Sequence, residues 1–265
     1  MPIRHLDPFV PIKTARRTDA NPYISKFSEA AASKTLPICA GPDLMNYVGR
    51  WRERIEQYYK TSKQHLEGLV VEIGCHTGQA LVQMAADHPN QAFVGVDITF
   101  KRVVKSAERA VDHGLKNVFC ILADAKFLEK LFPDQELTGV VARFPDPWKK
   151  KKKEKNRLFS RSFCVTLFEN LKPEGFVWYT TDEQAFFEET CGYMSEVGFL
   201  EQKEPVFIPD MSDIRNTRDI SRIGDSERYP SVFSRHFERE GTPVFERVWE
   251  KPKISIDIKE LSRHS

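Results

Sequence analysis

No stretch of this 265-residue chain holds the roughly 20 consecutive apolar residues that a membrane-spanning helix needs, so no membrane partner is expected. The basic opening residues 1–17 lack an apolar core and are not expected to act as a secretory signal. Cysteine is sparse: Cys39, Cys75, Cys120, Cys164 and Cys191 are odd in number and without paired spacing. That pattern predicts reduced core thiols in a cytoplasmic protein that holds no metal. No internal repeat is visible, which excludes a solenoid. Charge of one sign is lacking too. A formal net charge of +2 excludes a general polyanion coat, so any contact with nucleic acid has to be local. What remains, 40% hydrophobic and 29% charged residues, is the composition of a soluble chain with one sizeable core.

From residue 69 onward, apolar runs alternate with helical patterns. Strands are expected at 69–73, 92–96, 118–122, 137–144 and 176–180. Helices are expected at 79–87, 101–113 and 160–171, with a short one ending at 131 and another ending near 197. Such alternation predicts an α/β fold built of βαβ units around a doubly wound, mostly parallel sheet. Further strands are expected near 200–207 and 244–251, and a helix over 43–60 with Leu44, Tyr47, Val48, Trp51 and Ile55 on one side. Residues 1–42 read as a loosely ordered N-terminal arm to a domain at 43–265. Residues 209–230, polar and poor in apolar anchors, read as an inserted loop.

The charge that the chain lacks overall is concentrated in one place. Residues 144–148 read Phe-Pro-Asp-Pro-Trp, and residues 149–157 then hold seven bases and one acid, a local charge of +6. Pro145 and Pro147 fix φ and remove backbone donors, so Asp146 is expected on a stiff, non-helical turn. That turn falls just past a strand's carboxyl end, where open α/β sheets keep their ligands. The crowded lysines call for an external polyanion. A rigid carboxylate beside a phosphate-seeking run points to chemistry on a nucleic acid.

At the first strand, Glu72-Ile73-Gly74-Cys75-His76-Thr77-Gly78 supplies glycines that let the backbone turn and approach a ligand. It is not a dinucleotide fingerprint, because His76 occupies the middle glycine position. Asp97 ends the second strand, placed to accept from ribose hydroxyls. Asp124, followed by Ala125, ends the third, placed to accept from an adenine amine. Each acid has the ordinary alternative of capping a helix. Four carboxylates (Glu72, Asp97, Asp124 and Asp146) at one sheet edge would repel one another unless a cationic, donor-rich ligand sat among them. S-adenosylmethionine has that character, with its sulfonium, ammonium, ribose hydroxyls and adenine amine, whereas a pyrophosphate would be repelled.

These segments, together with Lys155-Asn156-Arg157 and Thr181-Asp182, resemble the bacterial tRNA (guanine-N7)-methyltransferase family over about residues 45–251. The resemblance implies a seven-stranded class I methyltransferase core, S-adenosylmethionine as cofactor, and methylation of N7 of a guanine in the variable loop of tRNA. It implies that Glu72, Gly74, Gly78, Asp97, Asp124, Ala125 and Asp146 bind the cofactor and that Asp146 is catalytic. Lys150 and Asp182 fall on substrate positions, and Lys151, Lys152, Lys153, Lys155 and Arg157 on the RNA-contact segment. A monomer or homodimer is expected.

Two positions depart from the family pattern. His76 adds a bulky side chain to the cofactor loop. The C-terminal substrate motif, Thr-x-Tyr/Phe-Glu, reads here as Ser231-Val232-Phe233-Ser234, keeping a hydroxyl but losing the carboxylate that would accept from guanine N1–H and N2–H₂. Two alternatives therefore stand beside the main one: a weak or inactive tRNA-binding protein on the same fold, and a methyltransferase for a different nitrogen substrate.

Overall fold

In the computed structural model, residues 21–60, 66–149, 151–202, 206–207, 222–223 and 226–253 are described. They form two compact units, Met1–Pro133 and Asp134–Ser265, a division the sequence does not predict.

The first unit opens with helix α1 (Pro22–Ser33), in the segment expected to be loosely ordered. Asn21 caps it by accepting from the Tyr23 N–H at 3.0 Å, and Pro22 sits in the first turn, where its missing donor costs nothing. Strand β1 (Ile38–Ala40) follows, also in that segment. The expected helix over 43–60 is two pieces, a 3-10 turn (Gly41–Asn46) and α2 (Trp51–Tyr59), with the chain turning at Gly49 between them. Leu44, Trp51 and Ile55 are fully buried, as the apolar stripe requires. The Trp51 indole donates to the Leu131 carbonyl at 2.9 Å, satisfying its one polar atom.

Then come β2 (Gly68–Ile73), α3 (Gln79–Asp87), β3 (Gln91–Asp97), α4 (Phe100–Asp112), β4 (Val118–Leu122) and a short α5 (Leu128–Leu131). The strands lie in the order β1-β4-β3-β2, all parallel. Residues of β2, β3 and β4 are buried throughout, which explains their mainly apolar sequences. Buried Asn117 donates from one side-chain amide to the carbonyls of Ala85, His88 and Gln91 at 2.9–3.0 Å, tying the end of α3 to the following strand.

The second unit contains β5 (Leu137–Arg143), α6 (Arg161–Asn170), β6 (Leu171–Thr181), α7 (Gln184–Val197), β7 (Leu200–Gln202), β8 (Val206–Phe207), β9 (Arg222–Ile223), α8 (Val232–Glu240) and β10 (Phe245–Glu250). Its main array runs β5-β6-β10-β7, with β5 and β6 parallel and β10 antiparallel to both neighbours. Of the expected strand near 200–207, residues 203–205 lie outside the described residues; β7 joins the array, while β8 pairs with β9. Among the described residues the two main arrays hold eight strands, one more than the seven expected, and β1 lies where no strand was expected. Most of the segment read as an inserted loop, 209–230, lies outside the described residues. Helix α8 is a further element without a sequence expectation.

All five cysteines are free thiols, four of them buried. Burial pushes Cys39, Cys120 and Cys164 up to about 12, as suits inert core residues. Among the described residues no helix is long and apolar enough to cross a membrane, and no group of His, Cys, Asp and Glu is arranged to hold a metal ion.

Candidate active site

In the first unit the carboxyl ends of three consecutive parallel strands each carry an acid. Glu72 near the end of β2 and Asp97 at the end of β3 are only 5% and 3% exposed. Asp97 accepts from the Thr99 N–H at 2.9 Å and from the Thr99 hydroxyl through one oxygen, while its other oxygen stands 3.6 Å from Arg102. Asp124, just past β4, is half-buried and caps the 3-10 turn Ala125–Phe127 by accepting from the Lys126 N–H at 3.0 Å. Capping is thus part of what Asp124 does, whereas Asp97 holds Thr99, the residue that precedes α4. Ala125 beside it is buried.

The turn after β2 is shaped by two glycines of different kinds. Gly78 (φ 71°) begins α3 and backs onto α4, where a β-carbon would lie 2.9 Å from the Ser106 Cα. Gly74 (φ 71°) is exposed, and a β-carbon there would meet nothing within 4 Å. Between them His76 also holds a left-handed backbone, φ 52°, the conformation for which a glycine would be the ordinary choice. Its imidazole lies 3.3 Å from the Thr77 hydroxyl. Burial, then the charges of Arg102 and Lys101, hold its pKa below the usual histidine value, against the pull of Asp97. Buried carboxylates beside an open, left-handed glycine suit a ligand that brings hydrogen-bond donors and positive charge.

In the second unit Phe144 extends the β5–β6 pairing by donating to the Thr180 carbonyl at 2.8 Å, and the chain then leaves the sheet. The two aromatic residues that bracket the Pro-Asp-Pro core, Phe144 (φ 52°) and Trp148 (φ 43°), are both left-handed. Asp146 between them is exposed, and Trp148 half-buried. Because β5 and β6 are parallel neighbours, Asp182, half-buried just past β6, lies at the same edge as the Asp146 turn. Lys149 pairs with Glu183, which raises its pKa through that carboxylate's hydrogen bond and charge, so the first lysine is drawn toward the Asp182 loop.

Residues 151–156 form a 3-10 turn, with Lys152 and Lys155 exposed. The backbones of Lys151 and Lys153 belong to it, whereas Lys150 lies outside the described residues. Arg157 differs from the lysines. Its side chain is 19% exposed and bonded to Pro147 and Glu189. Ser231 is half-buried ahead of α8, and the backbone of Ser234 lies within the helix.

Two arrangements here escaped the sequence reading. Arg143, at the end of β5, is buried, lies 4.8 Å from the Trp178 ring, and donates to the Tyr229 carbonyl. Its signal was a lone arginine closing an apolar strand. Helix α8 packs Phe233 and Phe237 against Phe144, at ring distances of 6.0 and 5.1 Å. The i,i+4 spacing of those two phenylalanines was its signal.

Parallel strands ending in acids beside a left-handed glycine turn fit a cofactor-binding unit of α/β type, and the comparisons show the chain to be a methyltransferase. A family model described as "Putative methyltransferase" matches residues 67–216, more than half of the chain. The tRNA (guanine-N(7)-)-methyltransferase of Geobacillus kaustophilus (strain HTA426) is 35% identical over 159 residues, 60% of this chain and 70% of that one. The tRNA (guanine-N(7)-)-methyltransferase of Levilactobacillus brevis (strain ATCC 367) is 30% identical over 152 residues, 57% of this chain and 67% of that one. The chain belongs to the tRNA (guanine-N7)-methyltransferase family. The crystal structure of the 16S rRNA methyltransferase KamB matches 74% of this chain and 93% of its own with a TM-score of 0.51, a likeness of fold at 13% identity.

Proposed function

We propose that this protein transfers a methyl group from S-adenosylmethionine to N7 of a guanine in the variable loop of tRNA, in the cytoplasm. The observation that carries the reading is the exposed Asp146 on a proline-fixed turn that leads directly into the basic loop, in a chain of this family. Family membership favours neither an inactive scaffold nor a different nitrogen substrate.

S-adenosylmethionine supplies a methyl carbon carried on a positively charged sulfur. Glu72, Gly74, Gly78, Asp97, Asp124, Ala125 and Asp146 would hold it, Asp97 accepting from ribose hydroxyls and Asp124 with Ala125 facing the adenine. Guanine N7 presents a lone pair, so the chain has no proton to remove before attack. Its task is alignment. A purine methylated at N7 carries positive charge, which the Asp146 carboxylate would stabilise. Asp182 orients the base, with Ser231 and Ser234 on the substrate side. Lys150, Lys151, Lys152, Lys153 and Lys155 take phosphates, giving affinity with little sequence readout.

Mass spectrometry of nucleosides from unmodified tRNA, incubated with the protein and cofactor, tests the reading. 7-Methylguanosine is expected only when both are present. Its absence, or a different methylated nucleoside, would reject the assignment.

A further inference from the structure

We propose that Arg157, whose place in the basic segment marks it as an RNA contact, is a positioning residue that holds the Asp146 turn against α7. The inference rests on the functional reading above. The Arg157 Nε donates to the Pro147 carbonyl at 2.8 Å, and Nη1 donates to Glu189 Oε2 at 2.7 Å. The guanidinium lies 5.3 Å from the Phe186 ring, and its Nη2 is 3.7 Å from Glu154. The other Glu189 oxygen accepts from the Tyr193 hydroxyl at 3.0 Å, so the carboxylate is itself fixed.

A planar fork holding a carbonyl and a carboxylate at once is a task for arginine and not for lysine. Pro147 directly follows Asp146, so fixing its carbonyl fixes the peptide that aims the carboxylate. Glu189 and Phe186 belong to α7, which begins just after Asp182. One side chain thus joins the two strand-end segments that carry Asp146 and Asp182. It also closes the neck of the basic loop, whose remaining bases are all lysines between residues 148 and 156.

Four variants in the full chain test this: R157Q, R157K, E189Q and the double variant R157Q/E189Q. Positioning predicts that R157Q lowers kcat about 10²-fold, the scale of a misaligned reacting group, while the tRNA Kd and its salt slope stay unchanged. It predicts no rescue by R157K, and a kcat defect in E189Q that does not add to that of R157Q. Hydrogen exchange across residues 144–149 should quicken in R157Q and E189Q, a readout independent of turnover. The RNA-contact alternative predicts weaker tRNA binding in R157Q with a salt slope smaller by about 1, and recovery in R157K. That result overturns the proposal, as does unchanged exchange in both variants. If R157Q fails to fold, E189Q carries the test, since removing a carboxylate should not weaken phosphate binding. Wild-type protein that forms no 7-methylguanosine would reject the functional reading, while the exchange and binding measurements still decide the role of Arg157.

Discussion

Phe144 packs on Phe237 with ring centroids 5.1 Å apart, and this contact joins the Pro-Asp-Pro turn to helix α8. Phe144 precedes that turn, and Phe237 follows the Ser231–Ser234 segment by one helical turn. Phe233, 39% exposed, completes the cluster at 6.0 Å from Phe144. Residues 231–234 are therefore held beside the Pro-Asp-Pro turn by aromatic packing and by the buried Arg143–Tyr229 bond. The variant F237A should cost about 1–2 kcal/mol of stability, less than a fully buried phenylalanine, because its ring is only partly covered. Its kcat/KM for tRNA should fall several-fold with cofactor affinity unchanged, measured by steady-state methylation beside calorimetry. A parallel loss of cofactor affinity would place α8 in the cofactor site instead.

Asp146 gives a sharper separation of stability from activity. It is exposed, so D146N should melt within about 0.5 kcal/mol of the wild type. Losing a charge aimed at the developing positive purine should lower methyl transfer about 10²- to 10³-fold. Transfer of tritiated methyl groups to tRNA measures this, and near-normal turnover would remove Asp146 from the catalytic role.

How much of this was legible follows the locality of each signal. Val118–Leu122 and Gln79–Asp87 match their expected bounds because a buried strand is an apolar run and α3 buries a one-sided stripe. Helix α1 buries only Phe27 and Ala30, too little to mark a period among its alanines and serines. Strand β6 begins at Leu171, five residues before the expected start, across Pro173-Glu174-Gly175. There Glu174 donates to the Lys251 carbonyl at 2.8 Å, a partner remote in sequence. The site divides the same way. Acids at strand ends were visible, whereas Arg157 looked like one more base in a basic run. Its partner Glu189, 32 residues on, carries no local mark.

Gly74 and Gly78 should fail differently when replaced by alanine. At Gly78 the new β-carbon enters the α4 backbone on an already left-handed residue, costing about 2–4 kcal/mol. At Gly74 the space is open, so only backbone strain of about 1–2 kcal/mol is expected. G74A should nonetheless lose cofactor affinity at least about tenfold, because that open space is where a ligand would meet the backbone. Thermal melts with and without S-adenosylmethionine separate the two. A G74A protein that binds normally would move the ligand away from this turn.

His76 joins strain to titration. Its left-handed backbone costs about 1–2 kcal/mol, and a glycine there would recover most of this, less about 0.4–1 kcal/mol for the freer unfolded chain. H76G should therefore melt at the same temperature as the wild type or slightly higher at pH 7.5. The pH dependence gives a second, independent readout. Burial and the charges of Arg102 and Lys101 lower the folded-state pKa of His76 beneath its ordinary 6.5. Below pH 6.5 the unfolded chain then binds a proton that the folded chain resists, so wild-type stability is fully present above that pH and falls through the lowered folded value. The H76G protein lacks this loss, and its advantage should widen between pH 6.5 and 5. Denaturant melts across that range measure it. A constant difference would show that His76 does not titrate there, and a destabilised H76G would show that the imidazole braces the loop.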